Sequence, residues 1–200
     1  ISNTLNPGDR VLMSRNGQFS TLWVEMAERL GLDVEVIAVA WGAGCPVKEF
    51  GRRLSADREG RIKAVFVTHN ETATGVTSDI AAVRRVLDTC FHDALLFVDG
   101  VSSIASIDFR MDEWGVDLAV TGSQKGLMCP AGLGILGVSR KAMEASKSST
   151  MRRAYFEFSD MVNLNAGGYF PYTPPTPLLR GLRASLDRIF REGLDEVIAR

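Results

Sequence analysis

The chain of 200 residues is 46% hydrophobic and 24% charged with a formal net charge of −1, which is enough apolar material for one well-packed domain and excludes a disordered chain. No long run of Lys or Arg occurs, which excludes the charge pattern of nucleic-acid and anionic-membrane binders, and no apolar stretch approaches the ~20 residues that span a bilayer. Three widely spaced cysteines and two histidines favour neither a disulfide framework nor a metal site, and fit a reducing compartment.

Apolar runs and helical spacings alternate along the sequence. Strands are predicted where short runs are mostly apolar, at residues 11–13, 34–39, 63–68, 94–98, 117–121 and 135–138. Helices are predicted at residues 19–30, 47–54, 78–90, 139–145 and 178–190, with Ser78 and Ser139 as N-caps. Because the strands do not alternate between apolar and polar residues, we expect a mostly parallel sheet with helices on both faces, a three-layer α/β sandwich.

Polar residues follow three of the predicted strands. They lie at residues 68–72, 99–103 and 122–125. In open parallel sheets, ligands bind at the carboxyl ends of the strands. We therefore expect these three segments to form one site for a small molecule.

Asp99 and Lys125 carry the most specific chemistry in these segments. Asp99 ends an apolar strand, where a carboxylate needs a cation or hydrogen-bond donors, although a turn cap explains a single Asp equally well. Lys125 lies among small and apolar residues, where loss of water favours the neutral amine that forms a Schiff base, although most lysines are surface charges. Together they fit pyridoxal 5′-phosphate (PLP), whose protonated pyridine nitrogen needs an acidic partner.

Four further side chains at the same strand ends are candidates for cofactor contacts. The Thr72 hydroxyl suits the phenolic oxygen or the phosphate of PLP, or it caps a turn. Gln124 and Ser123 are suited to contact phosphate. His69 either stacks near the ring or is a structural residue, and with one other histidine in the chain no His-based metal site is expected.

Four segments in order carry a resemblance to a known family. They are VTHNETATGV at 67–76, VDGVSS at 98–103, DFRMDEWGVD at 108–117 and TGSQKG at 121–126. These segments, and nearly the whole chain around them, closely resemble class V aminotransferases of the serine–glyoxylate and alanine–glyoxylate type. The resemblance implies the large domain of the aspartate aminotransferase-like fold, PLP as cofactor, a homodimer, and transfer of an amino group from a small amino acid, serine or alanine, to glyoxylate to form glycine.

The resemblance also implies roles for individual residues near the ring. Lys125 matches the lysine that forms the internal aldimine and then serves as general base, and Asp99 matches the partner of the pyridine nitrogen. Val101 matches a residue that packs on the ring face, Thr72 a neighbour of the ring oxygen, and Gln124 a phosphate contact.

Later in the chain, the resemblance implies a contribution across a dimer. Thr173, and less directly Tyr172, match residues that reach into the phosphate site of the neighbouring subunit. Phe170 stands where related enzymes can carry a Tyr, so the phenol expected there is replaced by a ring without a hydroxyl.

The resemblance places the chain in the middle of a longer protein. Residues 1–150 are expected to form part of the PLP-binding large domain, and residues 151–200 its end and a helix leading toward a C-terminal small domain. The family's phosphate-binding turn and ring-stacking aromatic are expected before residue 1, and its carboxylate-binding arginine after residue 200. Such a protein is expected in the bacterial cytoplasm or, if plant-type, in the peroxisome.

Two alternatives to transamination remain open from the sequence. A desulfurase or lyase of the same fold usually has His before the lysine and a mobile catalytic Cys, whereas Gln124 precedes Lys125 and Cys129 lies in a Pro-containing turn. A non-catalytic interaction module is the other alternative.

Overall fold

The computed structural model describes all 200 residues, which form eight strands and seven helices. In chain order these are β1 (Arg10–Arg15), α1 (Gln18–Arg29), β2 (Asp33–Ala38), α2 (Val47–Ala56), β3 (Ile62–Thr68), β4 (Asn70–Glu71), β5 (Val76–Thr77), α3 (Ile80–Thr89), β6 (Leu95–Asp99), β7 (Leu118–Gly122), β8 (Gly134–Val138), α4 (Arg140–Ser146), α5 (Phe158–Ala166), α6 (Thr176–Glu192) and α7 (Leu194–Ala199). All six predicted strands and all five predicted helices are confirmed, with ends that move by a few residues.

Six strands form one sheet in the order β2-β1-β3-β6-β7-β8. Every neighbouring pair is parallel except β7 and β8, which are antiparallel. The strands β4 and β5 form a separate two-stranded antiparallel ladder. The prediction of a mixed, mostly parallel sheet is confirmed.

Successive side chains of the central strands pack alternately into two hydrophobic cores, one on each face of the sheet. On one face, Val65, Val67, Leu96 and Val98 pack with residues of α2 and α3. On the other face, the intervening residues of the same strands pack with residues of α1 and α4; they are Ala64, Phe66, Leu95 and Phe97. Each central strand is therefore buried on both sides, which explains its continuous apolar sequence and gives the predicted three layers.

One predicted helix cap is wrong and the other is confirmed. Asp79 caps α3, because its carboxylate accepts a hydrogen bond from the Ala82 N–H at 2.7 Å. The Ser78 hydroxyl instead accepts from the Cys45 N–H at 3.1 Å and is committed to that loop. Ser139 caps α4 as predicted, accepting from the Ala142 N–H at 3.0 Å.

Four elements were not predicted: β4 and β5, which form the two-stranded ladder, and the helices α5 and α7. The strands of the ladder have two residues each, which is too short for a periodic signal. Neither α5 nor α7 contains a buried residue, so their sequences lack an apolar face that points to a core. None of the seven helices combines the length and the apolar character that crossing a membrane requires.

A part-buried hydrogen bond between His92 and Asp57 joins two loops at the amino edge of the sheet. His92 Nδ1 accepts from the Ala94 N–H at 3.1 Å, which assigns the proton to Nε2, and Nε2 lies 3.1 Å from Asp57 Oδ2. The Asp57 carboxylate also accepts from the N–H groups of Arg61 and Ile62, at 3.0 and 2.7 Å. Asp57 therefore ties the loop before β3 to the loop before β6.

This carboxylate is expected to stabilise the fold in a pH-dependent way. Burial raises the pKa of Asp57, but the N–H donors of Ile62, Arg61 and His92 outweigh it and hold the pKa below its ordinary value. A depressed pKa stabilises the folded state above the unfolded value of about 3.9, and this stabilisation is lost as the pH falls through the folded pKa. We expect Asp57→Ala to lower the free energy of unfolding by about 2 kcal/mol at neutral pH, and by less in acid.

Urea unfolding at neutral pH and at about pH 3 measures both values. Asp93→Ala is the matched control, since Asp93 is an exposed carboxylate in the same loop as His92. An equal loss of stability at both pH values would contradict this role for Asp57.

Candidate active site

Asp99 ends β6 at the carboxyl edge of the sheet, and its carboxylate is held by two donors. The Trp23 indole Nε1–H donates to Oδ2 at 3.0 Å, and the Val101 N–H donates to Oδ1 at 2.9 Å. Each oxygen thus has one donor, and each keeps a lone pair for another. Asp99 follows Phe97 on its strand, so it lies on the α1 and α4 face of the sheet.

The surroundings of Asp99 are apolar. It lies at the edge of a cleft of about 330 Å³ that is lined mainly by hydrophobic side chains, among them Trp23, Phe66, Phe97 and Leu136. Burial raises the pKa of the Asp99 carboxyl, as does the charge of Glu71, while the hydrogen bonds from Val101 and Trp23 lower it, and the net shift is upward. A carboxylate in this position is suited to bind a cationic group, because pairing relieves the cost of its burial.

Lys125 follows β7, the strand next to β6, in a tight turn. Ser123, which is fully buried, organises that turn: its hydroxyl donates to the Pro130 carbonyl at 2.6 Å and accepts from the Leu133 N–H at 3.2 Å. The Lys125 carbonyl accepts from the Met128 N–H at 2.8 Å. The Ser123 hydroxyl is therefore occupied within the turn, and its suggested contact with phosphate is wrong.

The side chain of Lys125 is exposed to solvent. The small and apolar neighbours in its sequence were expected to exclude water, and this expectation is wrong for the 200 residues described here. The side-chain nitrogen of Lys125 has no ion-pair or hydrogen-bond partner among these residues, so it is accessible to a ligand.

The turn that carries Lys125 packs directly against the turn that follows Asp99. A Cβ atom at Gly126 would lie 2.4 Å from the Ile104 carbonyl oxygen and 2.7 Å from the carbonyl carbon of Ala105. Only glycine allows this approach, since real Cβ atoms do not come so close to backbone atoms. Gly126 thus explains how two chain segments with opposite charges are held side by side at one edge of the sheet.

Val101 and Gln124 lie in these two turns. Val101 is half-buried, and besides holding Asp99 through its N–H it accepts at its carbonyl from the Thr121 hydroxyl at 3.5 Å. Gln124 is exposed and folds back over Gly122, where its side-chain oxygen lies within 2.6 Å of the site that a Cβ would occupy. Both residues are in the segments expected from the sequence.

Thr72 is linked to the turn after Asp99 by a hydrogen bond to the Ser102 hydroxyl, which Asn70 also contacts. The Thr72 hydroxyl donates to Ser102 Oγ at 2.9 Å, and the Asn70 side-chain amide donates to the same oxygen at 2.9 Å. Ser102 in turn donates to the Asn70 carbonyl at 2.9 Å. The first polar segment, 68–72, is therefore tied to the second, 99–103, and the lone pairs of the exposed Thr72 hydroxyl remain available to a ligand.

His69 lies in a buried aromatic cluster. It is 3% exposed, and its ring centroid is 5.6 Å from that of Phe109 and 5.5 Å from that of Trp114. Burial lowers the pKa of His69 to about 4, so the ring is neutral at physiological pH. Because His69 follows Val67 on the strand, it faces the α2 and α3 side of the sheet, opposite to Asp99. The geometry favours the structural role for His69.

Tyr172 and Thr173 lie outside this edge of the sheet. The Tyr172 ring stacks on Tyr155 with centroids 4.1 Å apart, and its hydroxyl donates to the Ala154 carbonyl. Both Tyr172 and Thr173 are exposed, as is Phe170. Within one chain they do not meet Asp99.

Two residues of the site were missed from the sequence, Trp23 and Glu71. Trp23 was counted as an apolar position of a helix, and nothing local signals a bond to a residue 76 positions away. Glu71 is fully buried, and its carboxylate accepts from the N–H groups of Phe19 and Ser20 at 3.2 and 2.9 Å. It thereby caps α1, because Gly17 has no side chain and a Cβ there would lie 2.3 Å from Glu71 Cγ.

Removal of this cap is expected to destabilise the fold strongly. In Glu71→Ala, the first turn of α1 loses a charge-assisted partner for the buried Ser20 N–H and the part-buried Phe19 N–H, and a cavity is left. We therefore expect the free energy of unfolding to fall by about 3 kcal/mol. Urea unfolding measures the change. Glu25→Ala is the matched control, since Glu25 is a partly exposed residue of the same helix whose nearest cation, Arg29, is 3.6 Å away. A loss no larger than that of the control would show that Glu71 does not act as the cap.

No group of three or more His, Cys, Asp or Glu side chains is arranged to hold a metal ion. The chemistry at the carboxyl edge instead consists of one half-buried carboxylate, one free amine and several hydroxyl and amide groups. This set can bind an anionic, carbonyl-bearing heterocycle, attach it through the amine and hold its ring nitrogen.

Several known proteins with similar sequences and structures are named glyoxylate aminotransferases. The chain is 61% identical to a serine–glyoxylate aminotransferase of Hyphomicrobium methylovorum and 58% identical to an L-aspartate–glyoxylate aminotransferase of Paracoccus denitrificans, in both cases over 100% of this chain and 50% of the relative. A crystal structure of an alanine–glyoxylate aminotransferase from Nostoc sp. superposes with a TM-score of 0.87 at 32% identity, covering 99% of this chain and 52% of that one. The chain spans about half the length of these relatives.

A family model covers the whole sequence. The model describes aminotransferase class-V proteins and matches residues 1–200. The same residues carry the parallel sheet, the paired turns at its carboxyl edge and the four segments noted in the sequence, so the chain belongs to the class-V aminotransferase family.

Proposed function

We propose that the full-length protein containing this chain is a PLP-dependent aminotransferase that moves the amino group of a small amino acid, serine or alanine, to glyoxylate. The products are glycine and the 2-oxo acid of the donor, so atoms balance without an oxidant. One observation carries the proposal: the turns bearing Asp99 and Lys125 follow adjacent parallel strands and pack against each other at Gly126. The glyoxylate aminotransferases among the relatives support it.

The residues at this edge fit PLP. Asp99 has a free lone pair on each oxygen and lacks a cationic partner, which a protonated pyridine nitrogen would supply. Lys125 offers a free amine to the cofactor aldehyde. Val101 would pack on the ring face, Thr72 would bind the phenolic oxygen, and Gln124 would contact the phosphate. His69 is not part of the proposed site, because its side chain faces the other side of the sheet.

The reaction divides between the cofactor and the protein. When bound, PLP supplies an electron sink for the electrons released at the substrate Cα. Asp99 keeps the ring nitrogen protonated. With PLP bound, the Lys125 amine would be the base suited to take the proton from the substrate Cα.

The position of Cys129 favours transamination over desulfuration. Its backbone N–H donates to the Ser123 carbonyl at 2.9 Å, within the compact turn that begins at the end of β7. A desulfurase of this fold needs a mobile Cys that reaches the substrate, and Gln124 stands where a His would precede the lysine. The donor amino acid is the open part of the proposal, since the relatives are named for serine, aspartate and alanine.

We also propose that the active protein is a homodimer in which Thr173 and Tyr172 contribute to the phosphate site of the partner subunit. Their exposure supports this arrangement, as does the absence of any hydrogen bond from either residue to Asp99 or Lys125. In the same proposal, residues 1–150 belong to the PLP-binding large domain, and residues 151–200 end it and lead to a C-terminal small domain. A cytoplasmic location in bacteria or a peroxisomal one in plants accompanies this function.

The experiment that tests the function uses the full-length protein. Incubation with PLP, glyoxylate and one donor at a time, with glycine measured as product, is expected to rank serine or alanine first. Borohydride reduction followed by peptide mass spectrometry is expected to find the cofactor attached to Lys125. A protein that neither forms glycine nor retains PLP would be an interaction module, and an adduct on another lysine would overturn the site.

A further inference from the structure

The hydrogen bond between Trp23 and Asp99 joins a helix to the functional carboxylate. Trp23 belongs to α1, which lies on one face of the sheet, and its Nε1–H donates to Asp99 Oδ2 at 3.0 Å. No other hydrogen bond of the indole is present. The other oxygen of Asp99 is held by the Val101 N–H, which belongs to the turn of Asp99 itself. Trp23 is therefore the one side chain that orients this carboxylate from outside its own strand and turn.

The position of the indole is fixed from two sides. Its ring packs on Phe66 with centroids 6.1 Å apart and planes tilted by 47°, and Phe66 in turn packs edge-on against Phe97 at 4.6 Å. At the start of the same helix, the buried Glu71 carboxylate caps the N–H groups of Phe19 and Ser20. A donor that is restrained in this way loses little entropy on binding the carboxylate, so its direction is set before any ligand arrives.

We infer that Trp23 is a positioning residue for the cofactor: its indole N–H turns the Asp99 carboxylate toward the pyridine nitrogen and stabilises the ionised form that this nitrogen requires. The inference rests on the proposed function. A Phe at position 23 would keep the contact with Phe66, so packing alone does not require an indole there. The N–H group is needed only by Asp99.

The electrostatic surroundings make this hydrogen bond important. Burial and the charge of Glu71 both raise the pKa of Asp99, and the two N–H donors oppose them. Loss of the indole N–H removes one of two opposing donors, so the carboxyl should hold its proton to higher pH.

The test compares Trp23→Phe with the wild type in the full-length protein. We expect the pKa of the Asp99 carboxyl, measured by carbon-13 NMR in the cofactor-free protein, to rise by about one pH unit, the equivalent of one lost hydrogen bond. The affinity for PLP near neutral pH, measured by quenching of tryptophan fluorescence, is expected to fall about 10-fold, with a smaller loss at higher pH. Trp41→Phe is the matched control, since Trp41 is 62% exposed.

A second variant separates the lost N–H group from lost packing. Replacement of Trp23 by benzothienylalanine keeps the shape of the indole and exchanges N–H for sulfur, so it should reproduce the shift of the Asp99 pKa even if Trp23→Phe unfolds. An unchanged Asp99 pKa in both variants would overturn the inference, and a shifted pKa with unchanged PLP affinity would overturn the positioning role. Because the NMR titration needs no cofactor, failure of the proposed function would appear separately, as a wild type that does not bind PLP.

Discussion

Replacement of Lys125 by Ala in the full-length protein is expected to abolish the covalent attachment of PLP and to reduce glycine formation at least about 10³-fold. The variant loses both the amine that reacts with the cofactor aldehyde and the base placed beside the substrate Cα. Because the Lys125 side chain is exposed and makes no hydrogen bond, the fold should be unaffected. Visible absorbance of the bound cofactor, borohydride labelling and a glycine assay measure the three effects.

The control for this variant is Lys48→Ala, which removes an exposed lysine from α2 and is expected to leave attachment and activity unchanged. A small primary amine added to Lys125→Ala should restore part of the proton transfer, because a free base can take the place of the missing side chain. Glycine formation that persists in Lys125→Ala without added amine would show that another group carries the reaction.

The sequence predicted the main elements because their signals are local. The central strands β3 and β6 are short apolar runs, and the burial of both of their faces explains why these runs do not alternate. The cap of α3 was misplaced by one residue, since Ser78 and Asp79 are both good capping residues. The choice between them was decided by Cys45, which lies 33 positions away and binds the Ser78 hydroxyl.

The location of the candidate site was also predictable, because polar residues at the carboxyl ends of parallel strands meet at one edge. The face of the sheet on which each side chain lies could not be predicted. His69 and Asp99 both lie at strand ends. His69 comes two residues after Val67 and Asp99 two residues after Phe97, and residues two apart lie on the same face of a strand. Because Val67 and Phe97 belong to opposite cores, His69 and Asp99 face opposite sides of the sheet. The position of a residue in a strand shows which face of the sheet its side chain lies on only when the core that its neighbours join is known.

The contacts that tune the site are the least predictable part. Asp99 receives its hydrogen bond from Trp23 across 76 positions, and α1 receives its cap from Glu71 across 51 and 52 positions. In the sequence, Trp23 is one more apolar position of a helix and Glu71 one more polar residue of a turn. Only the packing of α1 against the sheet gives either residue its partner.

Asp99→Asn is expected to reduce glycine formation on the order of 10³-fold while it leaves the fold intact. Asparagine keeps an acceptor but carries no charge, so it cannot hold the ring nitrogen in its protonated form. The glycine assay and a PLP titration measure the loss. Asp112→Asn is the control, because Asp112 is an exposed carboxylate in the segment between β6 and β7.

The stability of the same variant gives an independent test with a definite sign. Burial raises the pKa of Asp99 in the folded protein, so ionisation costs stability: the cost is absent below the unfolded pKa and is fully present above the folded pKa. Asp99→Asn removes that cost. Without cofactor, the free energy of unfolding of the variant should therefore stay within about 1 kcal/mol of that of the wild type. As the pH rises from about 4 to neutral, the stability of the variant should increase relative to that of the wild type. Urea unfolding across this range measures it. A wild type that instead gains stability relative to the variant would mean that the carboxylate is already satisfied by the protein, and no cationic ring would be needed to pair with it.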